Sequence, residues 1–141
     1  MSLKIKCLLF FTLPLISYAQ MNCSELSKGI FEIKTEYGNI LVERFNNFQL
    51  EKFVEFGILY LYKIEKVNEC DYILKIQKII SKGDLLEPSL NQNIEVNIYN
   101  VTDNVFYYHS LEKSSQIKTD GKMEKKSDTI SDEFKKILSQ L

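Results

Sequence analysis

The chain predicts an all-β domain: an antiparallel meander of about seven or eight strands, barrel- or sandwich-like, with a C-terminal amphipathic helix. Three observations carry that expectation. Apolar residues recur with a period near two through most of the chain, as on half-buried strands. Turn-forming residues interrupt these runs about every 8–12 residues, the spacing of hairpin-connected strands. Over residues 127–141 the period lengthens to that of a helix.

Composition narrows the class. With 141 residues, 45% of them hydrophobic, the chain has room for one domain and is too apolar for intrinsic disorder. Five glycines and two prolines are too few for a collagen-like or low-complexity chain. A formal net charge of −1 gives no basic footprint for nucleic acid.

Residues 1–19 read as a secretory signal peptide. Lys4 and Lys6 form the basic segment, Cys7 to Ile16 the apolar one, and Ser17-Tyr18-Ala19 places small residues at the cleavage site. The apolar run is about ten residues, whereas roughly 18 span a bilayer, so the other reading is an uncleaved anchor or a buried helix. Cys7 lies too early for a lipoprotein cysteine, and Gln20-Met21-Asn22 before Cys23 lacks the small residues of a lipobox. Cleavage would lower the formal charge to −3 and leave no transmembrane segment. The expected location is periplasmic or secreted. Two cysteines remain, Cys23 and Cys70, and in an exported domain they most simply form one disulfide. Closing a loop of roughly 50 residues is worth about 3–4 kcal/mol. The other reading is two separate buried thiols.

From residue 20 to 126 the chain reads as the β domain. Phe31 and Ile33, Ile40 and Val42, Tyr60 with Tyr62 and Ile64, Tyr72 with Leu74 and Ile76, and Ile94 with Val96 and Ile98 each alternate with residues of the opposite face. Tyr37-Gly38-Asn39 and Asn46-Asn47 fit tight hairpins, and Thr102-Asp103-Asn104 divides two later runs. The one long connection runs from Ser81 to Asn91, and Lys113 to Lys126 reads as a polar hairpin arm or linker. In the segment 127–141, Ile130, Phe134, Ile137, Leu138 and Leu141 share one helical face, Ser127 or Asp128 can cap, and acidic residues precede basic ones as the helix dipole favours. That apolar face needs a partner, either the protein's own sheet or else another protein or a membrane surface.

The ordered set Cys23-x-x-Leu26-x-x-Gly29-x-Phe31, Ile40, Arg44, Gln49-x-Glu51, Gly57 and Asn68-Glu69-Cys70-Asp71-Tyr72-x-Leu74 resembles a family of small exported proteins of Bacteroidetes-type bacteria. The resemblance spans roughly Cys23 to His109. It implies an exported protein and brings no activity with it. The family often carries a Trp four residues before the second cysteine, where Lys66 stands here. Some members carry a topoisomerase IV label. That chemistry needs an activated Tyr, bound Mg²⁺ and a large basic DNA surface, which a short, slightly acidic, exported chain does not offer.

Few residues suit catalysis. With a single His, a His-rich zinc site is impossible, and with Cys23 and Cys70 paired no thiolate is free. His109 and Ser110 are adjacent in a strand and point to opposite faces, and no G-x-S-x-G turn presents a serine. There is no P-loop and no G-x-G-x-x-G. No metal site, cofactor or enzymatic activity is expected. If Asn46-Asn47 is a turn, Arg44 and Glu51 lie on paired strands and can meet, as a structural ion pair or as an anion-recognising Arg held by a carboxylate. Tyr60, Tyr62, Tyr72, Phe106 and Tyr108 are strand-borne aromatics suited to a cavity wall or a solid core. Asn22-Cys23-Ser24 and Asn100-Val101-Thr102 match the N-glycosylation triplet, and Asp128-Thr129-Ile130 matches an O-glycosylation triplet at Thr129.

These readings lead to an exported, non-catalytic β-domain, a binding or interaction module of the cell envelope. The alternative is a lipocalin-like barrel that carries a small apolar ligand. An open interior favours the carrier and a filled one the interaction module.

Overall fold

In the computed structural model, which describes residues 21–84 and 92–141, eight antiparallel strands close into a barrel in the order β1 to β8. The strands are β1 (Gly29–Thr35), β2 (Gly38–Phe45), β3 (Phe48–Phe53), β4 (Ile58–Lys66), β5 (Asp71–Lys82), β6 (Asn93–Thr102), β7 (Val105–Glu112) and β8 (Lys118–Ser127). The leader expected over residues 1–19 lies outside the described residues, as do Cys7 and Pro88. Among the described residues no helix is long and apolar enough to cross a membrane.

The register follows from the turns. Asn46 and Asn47 have φ of 49° and 62°, the two left-handed positions of a tight hairpin turn that asparagine tolerates. Phe45 therefore pairs with Phe48 and Arg44 with Gln49. Closure comes from β8 pairing with both β7 and β1. β8 falls in the polar stretch that reads in sequence as an arm or linker. Its inward residues are Gly121, Met123 and Lys125, of which only Met123 is apolar, so no alternation marks it. Gly121 leaves room for Tyr108, since a Cβ there would lie 2.5 Å from the Tyr108 hydroxyl and push that ring aside.

The barrel interior is filled at one end. A 3₁₀ turn, Ser24–Ser27, caps that end, with Leu26 buried in the core and Cys23 joined to Cys70 by a disulfide. Lys125 Nζ fastens the turn from the side, 2.7 Å from the Glu25 carboxylate. Above it Phe31 and Phe106 meet edge-to-face at 6.1 Å between centroids. Toward the other end, Ile33, Ile40, Phe53, Ile76, Ile79 and Ile94 pack on the core but are only partly buried.

The C-terminal helix α1 spans Asp132–Leu138, shorter than the expected 127–141. Its cap is Ser131, whose side chain accepts from the Phe134 N–H, and not Ser127 or Asp128. Ile130 is buried ahead of the helix, and Leu141, beyond it, is exposed. The helix lies on the outer wall, not the barrel mouth. Phe134 is fully buried with Ile130 against Leu50 of β3 and Leu59 and Leu61 of β4.

Candidate functional site

Polar side chains occupy the lumen where a solid core would hold only apolar ones. Arg44 on β2 and Gln49 on β3 are each 2% exposed. The tight turn places them opposite each other, so both side chains enter the barrel side by side. Arg44 Nε donates to Gln49 Oε1 at 2.7 Å, and Gln49 Nε2 donates to Glu51 Oε1 at 2.6 Å. Arg44 Nη1 donates to the Leu26 carbonyl at 3.4 Å, and Nη2 donates to the Tyr72 hydroxyl. The guanidinium carbon sits 4.5 Å from the Tyr72 ring centroid and 5.8 Å from that of Phe31.

This arrangement corrects the expected Arg44–Glu51 ion pair. Register opposes Arg44 to Gln49 and Glu51 to Val42, and the two charged groups are linked through the Gln49 amide. Arg44 already donates within the protein from each of its three nitrogens, which uses three of its five N–H groups. It ties the capping turn to the barrel wall. Gln49 enters the sequence reading only as part of the resemblance, with no role given to it beside Arg44 and Glu51. Its signal is the spacing Gln49-x-Glu51, which puts both side chains on one face of a strand.

Above the relay lies a cavity of about 110 Å³. Ile33, Val42, Leu74, Ile94, Val96 and Met123 form its apolar wall, and Arg44, Gln49, Glu51, Tyr72, Tyr108 and Ser110 its polar part. A second recess of about 310 Å³ lies at the same end of the barrel, lined in part by Ile40, Phe53 and Phe56. Of the five aromatics singled out in sequence, Tyr72 and Tyr108 border the cavity. Tyr60 and Tyr62 face inward from β4, opposite Glu51 and Gln49. Phe106 belongs to the packed end with Phe31.

Glu51 is the chemically distinctive group. It lies deep among barrel atoms, and burial pushes its carboxyl up to about 7, the Gln49 hydrogen bond and the Arg44 charge pulling in the other direction. Near neutrality such a carboxyl accepts hydrogen bonds when ionised and donates one when protonated. Burial, with the Glu51 charge adding to it, raises the tyrosine hydroxyls around it, Tyr108 to about 12 and Tyr62 further still, so all remain neutral hydroxyls.

His109 and Ser110 do point to opposite faces. Ser110 borders the cavity, while His109 lies outside, its Nδ1 against Asp120 and its ring stacked on Tyr99 at 4.1 Å. On that outer face, a recess of about 520 Å³ runs across β5 to β8 beside Ile73 and Leu111.

No protein-family model, curated protein or solved structure matches the chain.

Proposed function

We propose that this protein is an exported, non-catalytic barrel that holds a small, largely apolar molecule in its lumen. The observation that carries the reading is the cavity above the Arg44–Gln49–Glu51 relay, apolar on one side and polar on the other. Binding sites for small molecules have that make-up, with a few placed polar groups in an otherwise apolar wall. A closed eight-stranded barrel leaves an interior just large enough for side chains or one small ligand. The disulfide between Cys23 and Cys70 supports export, because such bonds persist in oxidising compartments.

Xenon tests the reading, since it enters apolar cavities without needing a polar partner. Under xenon pressure the methyl NMR signals of Val42, Leu74, Ile94 and Val96 should shift, and Val96→Phe should abolish the shifts by filling the space. Absence of any shift would overturn the lumen as a binding site. Shifts confined to Ile73 and Leu111 would favour the second reading, an envelope interaction module that uses the outer recess across β5 to β8.

A further inference from the structure

We infer that the group bound deepest in the lumen is a hydrogen-bond donor, an amine or hydroxyl on a short apolar chain, seated against the open oxygen of Glu51. The inference rests on the ligand reading above and adds the polarity of the ligand's head.

Two charged groups border the cavity, and they would select opposite heads. Arg44 would select an anion, Glu51 a donor. Arg44 is already committed: Nε to Gln49, Nη1 to the Leu26 carbonyl and Nη2 to the Tyr72 hydroxyl. An entering carboxylate or phosphate would find only two of the five guanidinium N–H groups left, on a cation already shared among three partners.

Glu51 is in the reverse position. Oε1 accepts from Gln49 Nε2, while neither oxygen accepts from any other described residue. Yet among the described residues no fully buried side-chain oxygen or nitrogen lacks a partner. Oε2 therefore keeps exposed surface, and Glu51 borders the cavity. The orientation of the Gln49 amide follows from its neighbours. Its oxygen must face the Arg44 donor, which turns its NH₂ toward Glu51. Arg44 thus acts through Gln49 to present Glu51 as an acceptor, and an ionised carboxylate has lone pairs to spare for a ligand.

The titratable groups facing Glu51 are Arg44 from β2, Tyr60 and Tyr62 from β4, Tyr72 from β5 and Tyr108 from β7. Burial keeps the Tyr60, Tyr62 and Tyr108 hydroxyls protonated near neutrality. Amine binding should therefore track the ionisation of Glu51 itself, whose carboxyl is pushed up to about 7. A cavity of about 110 Å³, below the roughly 150 Å³ that takes a benzene, suits a chain of about four carbons including its head.

The experiment compares n-butylamine, n-butanol and butyrate by methyl NMR titration of the full chain. At about pH 8.5 n-butylamine should bind about tenfold or more tightly than butyrate, with n-butanol between them. At about pH 5.5, with Glu51 protonated, n-butylamine should weaken about tenfold while n-butanol changes by less than about threefold. Glu51→Gln keeps the side-chain shape and should remove the amine preference at both pH values. If that variant does not fold, the wild-type pH comparison still decides. Equal or tighter binding of butyrate, or an amine preference that survives Glu51→Gln, would overturn the inference. Entry of xenon with no binding of any of the three compounds would overturn the head-group inference alone; exclusion of xenon as well would bring down the ligand reading with it.

Discussion

Leu59 and Leu61 on β4 face outward under helix α1, whereas Tyr60 and Tyr62, their immediate neighbours, face the lumen. Both sides of the strand are buried, and they are built to different ends. The outer side is a closed apolar cluster in which Phe134 and Ile130 cover Leu50, Leu59 and Leu61. Each such side chain adds roughly 1.5–3 kcal/mol by leaving water, and none needs a polar partner. The inner side pays for a buried Arg and Gln and a half-buried Glu that a core built only for stability would do without. Replacing buried charged groups by well-packed apolar ones is often neutral or stabilising. The raised Glu51 carboxyl is the local sign of that cost. The contrast fits a wall under the helix built for stability alone and a lumen that also serves the proposed binding.

The largest expected effect belongs to the outer side. Phe134→Ala removes a fully buried ring and should lower stability by about 3–5 kcal/mol. Chemical denaturation of wild type and variant measures this, and the xenon-responsive lumen methyls should keep their shifts. An unchanged midpoint would mean that the helix is not docked in solution, and the outer cluster would then be an interaction surface.

The next effect belongs to the inner side and reverses with pH. In the folded protein the Glu51 carboxyl is raised from 4.5 to about 7, so across that window the folded state holds a proton that the unfolded chain has released. Stability contributed by that proton is present in acid and lost as pH rises through the window, by about 1–3 kcal/mol. Glu51→Gln should abolish that share of the pH dependence and be the more stable protein above about pH 7. Paired denaturation curves from acid to neutral pH isolate the Glu51 contribution by difference. Parallel curves for the two proteins would place Glu51 in contact with bulk water and remove the contrast between the two faces.

Much of this architecture is legible in the chain, and the exceptions share a cause. Strands such as β4 and β6 announce themselves because their inward positions, Tyr60 and Tyr62 or Val96 and Ile98, are apolar. β8 does not, because its neighbours decide its inward residues: Gly121 yields space to Tyr108, and Lys125 reaches Glu25 and Asp128 at the capped end. Helical periodicity collects Ile130 and Leu141 along with Phe134, but it does not distinguish a helix from the extended Ser131 before it or the turn at residues 139–140 after it. The site is half legible. Asn46-Asn47 as a two-residue turn implies Arg44 opposite Gln49 and Val42 opposite Glu51, so the relay can be counted out from the turn, whereas the choice of an ion pair followed charge and not register. The shift of the Glu51 carboxyl is beyond such counting, because the groups that bury it come from strands far along the chain.

The smallest effect tests whether the two faces are separable. Ser131 joins helix to barrel at one point: its N–H donates to Glu43 Oε2 and its Oγ to Glu43 Oε1, each at 2.7 Å, while the same Oγ accepts from the Phe134 N–H. Glu43 points outward from β2, one residue from the lumen-facing Arg44. Ser131→Ala deletes the cap and one of the two Glu43 bonds but leaves the backbone N–H bond in place. The expected cost is about 1 kcal/mol, the usual loss for a capping serine and well below that of Phe134→Ala. Denaturation gives the cost, and the double variant with Glu43→Gln shows how much of it passes through that carboxylate. The methyl signals of Val42, Leu74 and Val96 should not move, because the loss falls on the far side of the wall. A lumen that shifts with Ser131→Ala would show that β2 carries changes at the helix through to Arg44, and the division between a stabilising wall and a binding interior would have to be redrawn as one coupled unit.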